Sequence, residues 1–240
     1  MCVIYFAFQA AEDHQLILIA NRDEFYDRPT APAAYWPDHP NIYAGRDLAG
    51  GGTWLGVTRD RRFAAVTNYR DPSAPPRPRS RGELVAGFLK TDASPESYLE
   101  QIQRDRNEFA GFNLLVGQIG EISEVHYYSN RGGEPRRLGP GIYGLSNHLL
   151  DTPWPKVVTG KSRFTRLIAG GDLEDESFFR LLSDRTPAAD AELPSTGIGY
   201  EAEKAISSIF IETDGYGTRC SSVLRSSRHL GWSLNERVFV

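Results

Sequence analysis

Where the chain keeps each hydrophobic period limits its fold more than any other feature. Runs of strand length, rich in β-branched and aromatic residues, lie at both ends: VIYFAF (3–8) and LILIA (16–20), then SSIFIE (207–212), TRCSSVL (218–224) and GWSLNERVFV (231–240). TWLGVT (53–58) and FAAVT (63–67) predict a second hairpin around RDRR, and FNLLVGQ (112–118) and EVHYYS (124–129) a third around GEIS. Helical spacing is grouped between the terminal runs. SRGELVAGFLK has Ser80 and Glu83 at capping-box spacing and apolar residues at 84, 85, 88 and 89 on one face. SPESYLEQIQ starts a helix at Ser94 with Pro95 in the first turn, and PWPKVVTGKSRFTRLIAG and EDESFFRLLSD predict two more. Strands at both ends with grouped helices predict an α+β architecture rather than an alternating parallel one. The stretch from Asn21 to about Gly52, with four prolines and YAGRDLAGGG, is expected to be an irregular loop.

The 240 residues are read as a single domain, 1–240. A net charge of −4 points away from a dedicated nucleic-acid binder. No apolar run approaches the roughly 20 residues of a membrane span, and no signal peptide is expected, so the cytoplasm is the expected location. Two cysteines, Cys2 and Cys220, make neither a disulfide framework nor a zinc site.

The placement of Cys2 is unusual, because loss of Met1 would make it the N-terminal residue. The second strand ends in four polar residues, Asn21, Arg22, Asp23 and Glu24, followed by Phe25. If the first two runs pair as a hairpin, Arg22 and Asp23 come close to Cys2. A nearby cation favours thiolate. A free α-amine, with an ordinary pKa of roughly 7.7–8.0, would serve as general base for its own side chain. Asp23 would orient that amine. The alternative is an Arg–carboxylate brace that only holds the loop.

Four later residues have two readings each. Asn68 in AAVTNYRDP and Asn147 in GLSNHLLDTPWPK either donate to a developing oxyanion or make turns and caps. Arg219 in GYGTRCSSV either binds a substrate carboxylate or is a surface strand arginine. His148, beside Asn147, is a binding residue or a packed one. Metal chemistry is disfavoured, since Asp23, Glu24 and Asp27 have no histidine at ligand spacing. The glycine run at 50–52 lacks the Lys-Ser/Thr of a phosphate loop.

Met-Cys at the start, NRDEF, GGTWLGV, VTNYR, GLSNHLLDTPWPKV and YGTRCSSV together resemble the NRDE family, also called the transport and Golgi organisation protein 2 family. That family is in turn similar to the cysteine N-terminal nucleophile hydrolases, such as penicillin V acylase and bile-salt hydrolase. The resemblance implies a four-layer αββα sandwich of two antiparallel sheets. It also implies Cys2 as nucleophile with Arg22 beside it, Asp23 orienting the amine, Asn68 and Asn147 near the oxyanion, and Arg219 as the late arginine. Asn21, Glu24, Phe25 and His148 would bind substrate. The acylases space their arginine and aspartate as R-x-x-D, whereas Asp23 directly follows Arg22 here.

The expected function is a cysteine hydrolase acting on an amide, ester or thioester bond of a small acylated substrate, with no required cofactor. The alternative is a non-enzymatic protein that binds and traffics haem, acyl-CoA or lipid, with haem as cargo.

Overall fold

The structure is a computed structural model and describes residues 2–227, 229 and 231–240. The first half of the chain contains strands β1 (Cys2–Ala11), β2 (His14–Phe25), β3 (Thr30–Trp36), β4 (His39–Asp47), β5 (Leu55–Thr58) and β6 (Arg62–Asn68), helices α1 (Gly82–Lys90) and α2 (Pro95–Arg104), and β7 (Phe112–Gln118). The second half contains β8 (Glu124–Ser129), β9 (Arg136–Leu138), β10 (Gly141–Leu145), α3 (Pro155–Ala169), α4 (Asp175–Leu182), α5 (Tyr200–Ala205), β11 (Glu212–Thr213), β12 (Tyr216–Ser227) and β13 (Gly231–Val238). They form two interleaved compact units. One is made of residues up to Asp27, Arg70–Ser73 and the chain from Pro140 onward; the other is Arg28–Tyr69 with Ala74–Gly139.

The first unit carries an antiparallel sheet in the order β10-β1-β2-β12-β11, with β13 also paired to β12. The period of two in β1 and β2 decides which residues face the helices. Val3, Tyr5 and Ala7 of β1, Ile17 and Ile19 of β2 and Val223 of β12 pack against Phe164 and Ile168 of α3 and Phe178, Phe179 and Leu182 of α4. Each large apolar side chain buried this way contributes about 1.5–3 kcal/mol. Helix α3 opens with Pro155 after an extended Trp154, where the missing N–H costs nothing. It lies close enough to the sheet that a Cβ at Gly160 would overlap the Tyr5 ring. That contact explains a glycine in mid-helix.

The second unit is a seven-stranded antiparallel sheet in the order β3-β4-β5-β6-β7-β8-β9. Leu84, Val85, Phe88 and Leu89 are the buried face of α1, which covers β6 and its neighbours. The expected capping box is half made: the Ser80 amide donates to Glu83 Oε1 at 2.9 Å, while Ser80 Oγ accepts from Gly82 at 3.3 Å. Ser94 caps α2 by accepting from the Ser97 amide. The α+β class therefore holds, as two antiparallel sheets with few helices.

Two expectations from the sequence are corrected. The segment 21–52 is not an irregular loop: β2 runs on to Phe25, and β3 and β4 form a hairpin. Pro32 is accommodated because β3 is an edge strand whose register shifts between Ala31 and Ala34; Pro29 and Pro37 lie outside the strands, and Pro40 is the second residue of β4. Short turns join these strands at 26–28 and 37–38, and the segment turns again at its end, where Asp47 Oδ1 accepts from the amides of Ala49 and Gly50. The run SSIFIE is not a strand either, apart from Glu212. Its apolar residues fill the core while its backbone bonds leave the ladder: the Phe210 amide donates to Asp184 at 2.8 Å, and Ile211 accepts from Thr218 at 2.8 Å.

Candidate active site at the start of the first strand

The β1–β2 register places Cys2 directly opposite Arg22, and β12 places Cys220 opposite Arg22 from the other side. Directly paired residues share a face, so Arg22 lies between two thiols. Both cysteines are free, Cys2 partly buried and Cys220 buried. Val3, Asn21 and Asp23 fall on the opposite, helix-packed face. Arg219 is the extra residue of a β-bulge between Thr218 and Cys220.

Burial pushes the Cys2 thiol above its ordinary value, and the Asp23 charge adds to the rise; the Asp23 backbone amide and the Arg22 charge oppose it. Cys2 is therefore held as a thiol that needs a base. Asp23 is 1% exposed. Its Oδ1 accepts from Thr218 Oγ1 at 2.7 Å, and its carbonyl accepts from the Tyr216 hydroxyl at 3.2 Å. Burial raises its carboxyl above the usual carboxylate range, and the largest charge opposing that rise is the Lys156 ammonium.

The other expected site residues fall in different places. Asn21 donates to the carbonyls of Leu182 at 2.8 Å and Ile209 at 2.9 Å and accepts from Ser221 Oγ at 2.6 Å, so its amide ties the sheet to the helix layer. Glu24 Oε1 accepts from the Phe25 amide at 3.0 Å. Phe25 is 59% exposed and meets Tyr216 edge to face. Asn147 is fully buried just beyond β10; its side-chain oxygen accepts from Ser146 Oγ and its carbonyl from the Arg70 amide. His148 shares a hydrogen bond with Thr152 Oγ1 at 2.9 Å and lies against Trp154, and burial lowers its pKa. Arg219 is buried, with its guanidinium donating to the carbonyls of Phe25 and Val240. Asn68 ends β6 in the second unit, opposite Phe112. Met1, whose loss the sequence reading invokes, is outside the described residues.

Sequence reasoning passed over four groups of the first unit. Arg70, inside VTNYR, forms a buried ion pair with Glu203 at 2.5 Å, and its guanidinium lies over the Trp154 ring at 4.7 Å. Tyr216 feels the charges of Asp23, Cys2, Glu24 and Arg70. Lys156, inside DTPWPK, is 5% exposed. For Arg70, Tyr216 and Lys156 the available signal was membership of the same unusual motifs, whereas Glu203 lies in none of them. Among the described residues, no three His, Cys, Asp or Glu side chains cluster to hold a metal ion.

The helix-covered antiparallel sheets have a fold also seen in N-terminal nucleophile hydrolases. An N-acylethanolamine-hydrolyzing acid amidase ortholog from Caenorhabditis elegans matches with a TM-score of 0.56 at 11% identity, over 100% of both chains. A conjugated bile acid hydrolase from Clostridium perfringens, in its C2A mutant form, matches with a TM-score of 0.50 at 10% identity, over 100% of this chain and 92% of that one. At those identities the likeness is one of fold.

The chain belongs to the transport and Golgi organisation 2 family, whose model matches residues 1–240. The mouse transport and Golgi organization 2 homolog is 36% identical over 93% of this chain and 88% of its own. The human homolog is also 36% identical, with the same coverage, and the Drosophila melanogaster protein is 30% identical over 93% of this chain and 87% of its own.

No helix among the described residues is long and apolar enough to cross a membrane.

Proposed function

We propose that the chain is an N-terminal-cysteine hydrolase that cleaves an amide, ester or thioester bond of a small acylated substrate. The observation that carries this reading is the register Cys2–Arg22, with Asp23 next in the strand and buried on the other face. Once Met1 is removed, the Cys2 α-amine takes the thiol proton. Sulfur then bonds to the acyl carbon, the bond to the leaving group breaks, and the leaving group receives that proton. Water attacks the thioester, the acid departs and the thiol is restored. The thiolate and the amine lie on one residue, so a raised thiol pKa is compatible with attack. Asn147, in the same unit as Cys2, is our candidate donor to the oxyanion. Free thiols suit the reducing cytoplasm in which we place the chain.

The test begins with the intact mass of the native-terminus protein before and after a limiting thiol reagent. Loss of one methionine and one label at Cys2, followed by turnover of an acyl amide or thioester that Cys2→Ala abolishes without unfolding, is the expected result. Unchanged turnover in Cys2→Ala would end the hydrolase reading. Retained Met1 under native expression, or an inert Cys2, would leave carriage of haem or an acyl cofactor, to be tested by haem titration.

A further inference from the structure

Ser146 stands just past the end of β10 and is 2% exposed. Its hydroxyl reaches two acceptors, the Cys2 carbonyl at 3.2 Å and Asn147 Oδ1 at 3.2 Å. One buried side chain thus touches both the residue proposed as nucleophile and the residue proposed as oxyanion donor. The backbone brings this about. Strands β1 and β10 pair from Phe8–Gly141 to Ile4–Leu145, and in that antiparallel register the next residues reach the level of Val3 and Cys2. Beyond the last pair the Ser146 hydroxyl carries on the connection.

The chain that follows is a short closed loop. The Asp151 amide donates to the Gly144 carbonyl at 2.8 Å, and Asp151 Oδ1 accepts from the Gly144 amide at 2.9 Å. Lys161 pairs with the same carboxylate at 2.7 Å. Within the loop the Asn147 carbonyl accepts from the Arg70 amide at 2.7 Å, so its backbone is fixed before its side chain is considered. A carboxamide has one accepting limb and one donating limb of nearly equal shape. A hydroxyl that donates to Oδ1 settles which is which, and the Nδ2 group becomes the limb directed away from Ser146. Without that hydroxyl the amide can turn its oxygen where its N–H groups belong, and an oxygen there repels a developing oxyanion.

We propose that Ser146 is a positioning residue of the Cys2 site: its hydroxyl ties Asn147 to the start of β1 and sets the Asn147 amide with Nδ2 as the donor to the acyl oxygen. The oxyanion part rests on the hydrolase reading; the orientation of the amide does not. Ser146 acts through Asn147 and touches no substrate. Its bond to the Cys2 carbonyl holds the nucleophile and the donor in one frame, where a misplacement of about 1 Å costs about 10²-fold in rate.

Two reagents separate this role from a structural one. Iodoacetamide alkylates a thiol by displacement at carbon: sulfur bonds to that carbon, iodide leaves, and no charge builds on oxygen. p-Nitrophenyl acetate acylates it: sulfur bonds to the acyl carbon, charge builds on the acyl oxygen, and nitrophenolate leaves as the thiol proton passes to solvent. In Ser146→Ala the acylation of Cys2 is expected to slow by about 10²-fold while its alkylation keeps the parent rate. Ser146→Thr, which retains the hydroxyl, should recover acylation. Unchanged acylation, or equal losses in both reactions, overturns the proposal.

A second readout needs no chemistry at Cys2. The side-chain amide signals of Asn147 in protein with isotope-labelled asparagine, assigned by their loss in Asn147→Asp, should move in Ser146→Ala and return in Ser146→Thr. Unmoved signals overturn the proposal. If Ser146→Ala does not fold, the parent decides: an order parameter of the Asn147 amide near the rigid value of roughly 0.85 supports it, and one below about 0.6 overturns it. If Cys2 of the parent reacts with the ester no faster than free cysteine, the hydrolase reading falls and the amide signals alone decide the orienting role of Ser146.

Discussion

Tyr5 donates its hydroxyl to the carbonyl of Lys156 across 2.7 Å, joining the middle of β1 to the first turn of α3. The ring that carries this hydroxyl fills the space in front of Gly160, one turn further along the helix. Substituting alanine for glycine within a helix normally gains about 1 kcal/mol. At Gly160 the sign reverses, because the added methyl forces Tyr5 or α3 aside. Gly160→Ala is expected to lose about 1–3 kcal/mol, read from urea unfolding. A stabilised variant would mean that the helix can lift from the sheet at no cost.

Asn21 is a structural residue by its contacts, although it stands between Ala20 and the Arg22 of the site. Its amide serves the carbonyls of Leu182 and Ile209, and its oxygen accepts from Ser221. Asn21→Ala leaves those buried groups without their partner and should cost about 1–3 kcal/mol, with the rate of Cys2 alkylation in the folded protein unchanged. A large change in that rate at unchanged stability would place Asn21 in the site instead.

The Arg70–Glu203 pair is nearly dry, with side-chain exposures of 6% and 4%. Removing one member strands the other charge. Glu203→Gln and Arg70→Met are each expected to lose about 3–5 kcal/mol. A loss below about 1 kcal/mol, the range of exposed pairs, would show that water reaches the pair.

The two thiols differ in accessibility, and both are pushed up by burial; Cys220 is held well above the ordinary value, with Glu236 adding to the rise. Native protein should therefore take one alkyl label, at Cys2, and denatured protein two. Because a raised pKa delays thiolate formation, the Cys2 rate should still be climbing as pH passes the ordinary cysteine value of 9.0. A rate already flat below that pH would mean that Arg22 outweighs burial.

Lys156 makes stability depend on alkaline pH. Burial holds its pKa at about 8 against an ordinary 10.5, so the unfolded chain binds its proton more tightly than the folded one. Stability then rises with pH wherever the unfolded state carries the extra proton. The contribution is present in full above about 10.5 and is lost as pH falls through about 8. Relative to Lys156→Met, the parent should gain stability across that window in urea titrations. A flat difference would mean that the ammonium is solvated.

Local patterning made a good part of the structure legible. The apolar runs VIYFAF and LILIA, divided by a short polar stretch, predict the β1–β2 hairpin, and with it the pairing of Cys2 and Arg22, because a short connection between adjacent strands leaves little choice of register. The α1, α2, α3 and α4 segments follow from their spacing and from Ser94, Pro95 and Pro155. The β3–β4 hairpin was hidden because an edge strand tolerates the prolines that argue against strand. SSIFIE misled because burial, not ladder pairing, explains its apolar residues.

What the sequence by itself determined is the motif set, the α+β class and the hairpin that joins Cys2 to Arg22, all of which depend on residues near one another in the chain. Only the tertiary structure decided that Arg22 also meets Cys220, that Asn21 is tied to residues 182 and 209, and that Lys156 is buried where Tyr5 holds the first turn of α3. Each of those requires segments more than a hundred residues apart to pack on one sheet. Nothing in the local pattern around a lysine at a helix start records which charge, or how little water, it will meet there.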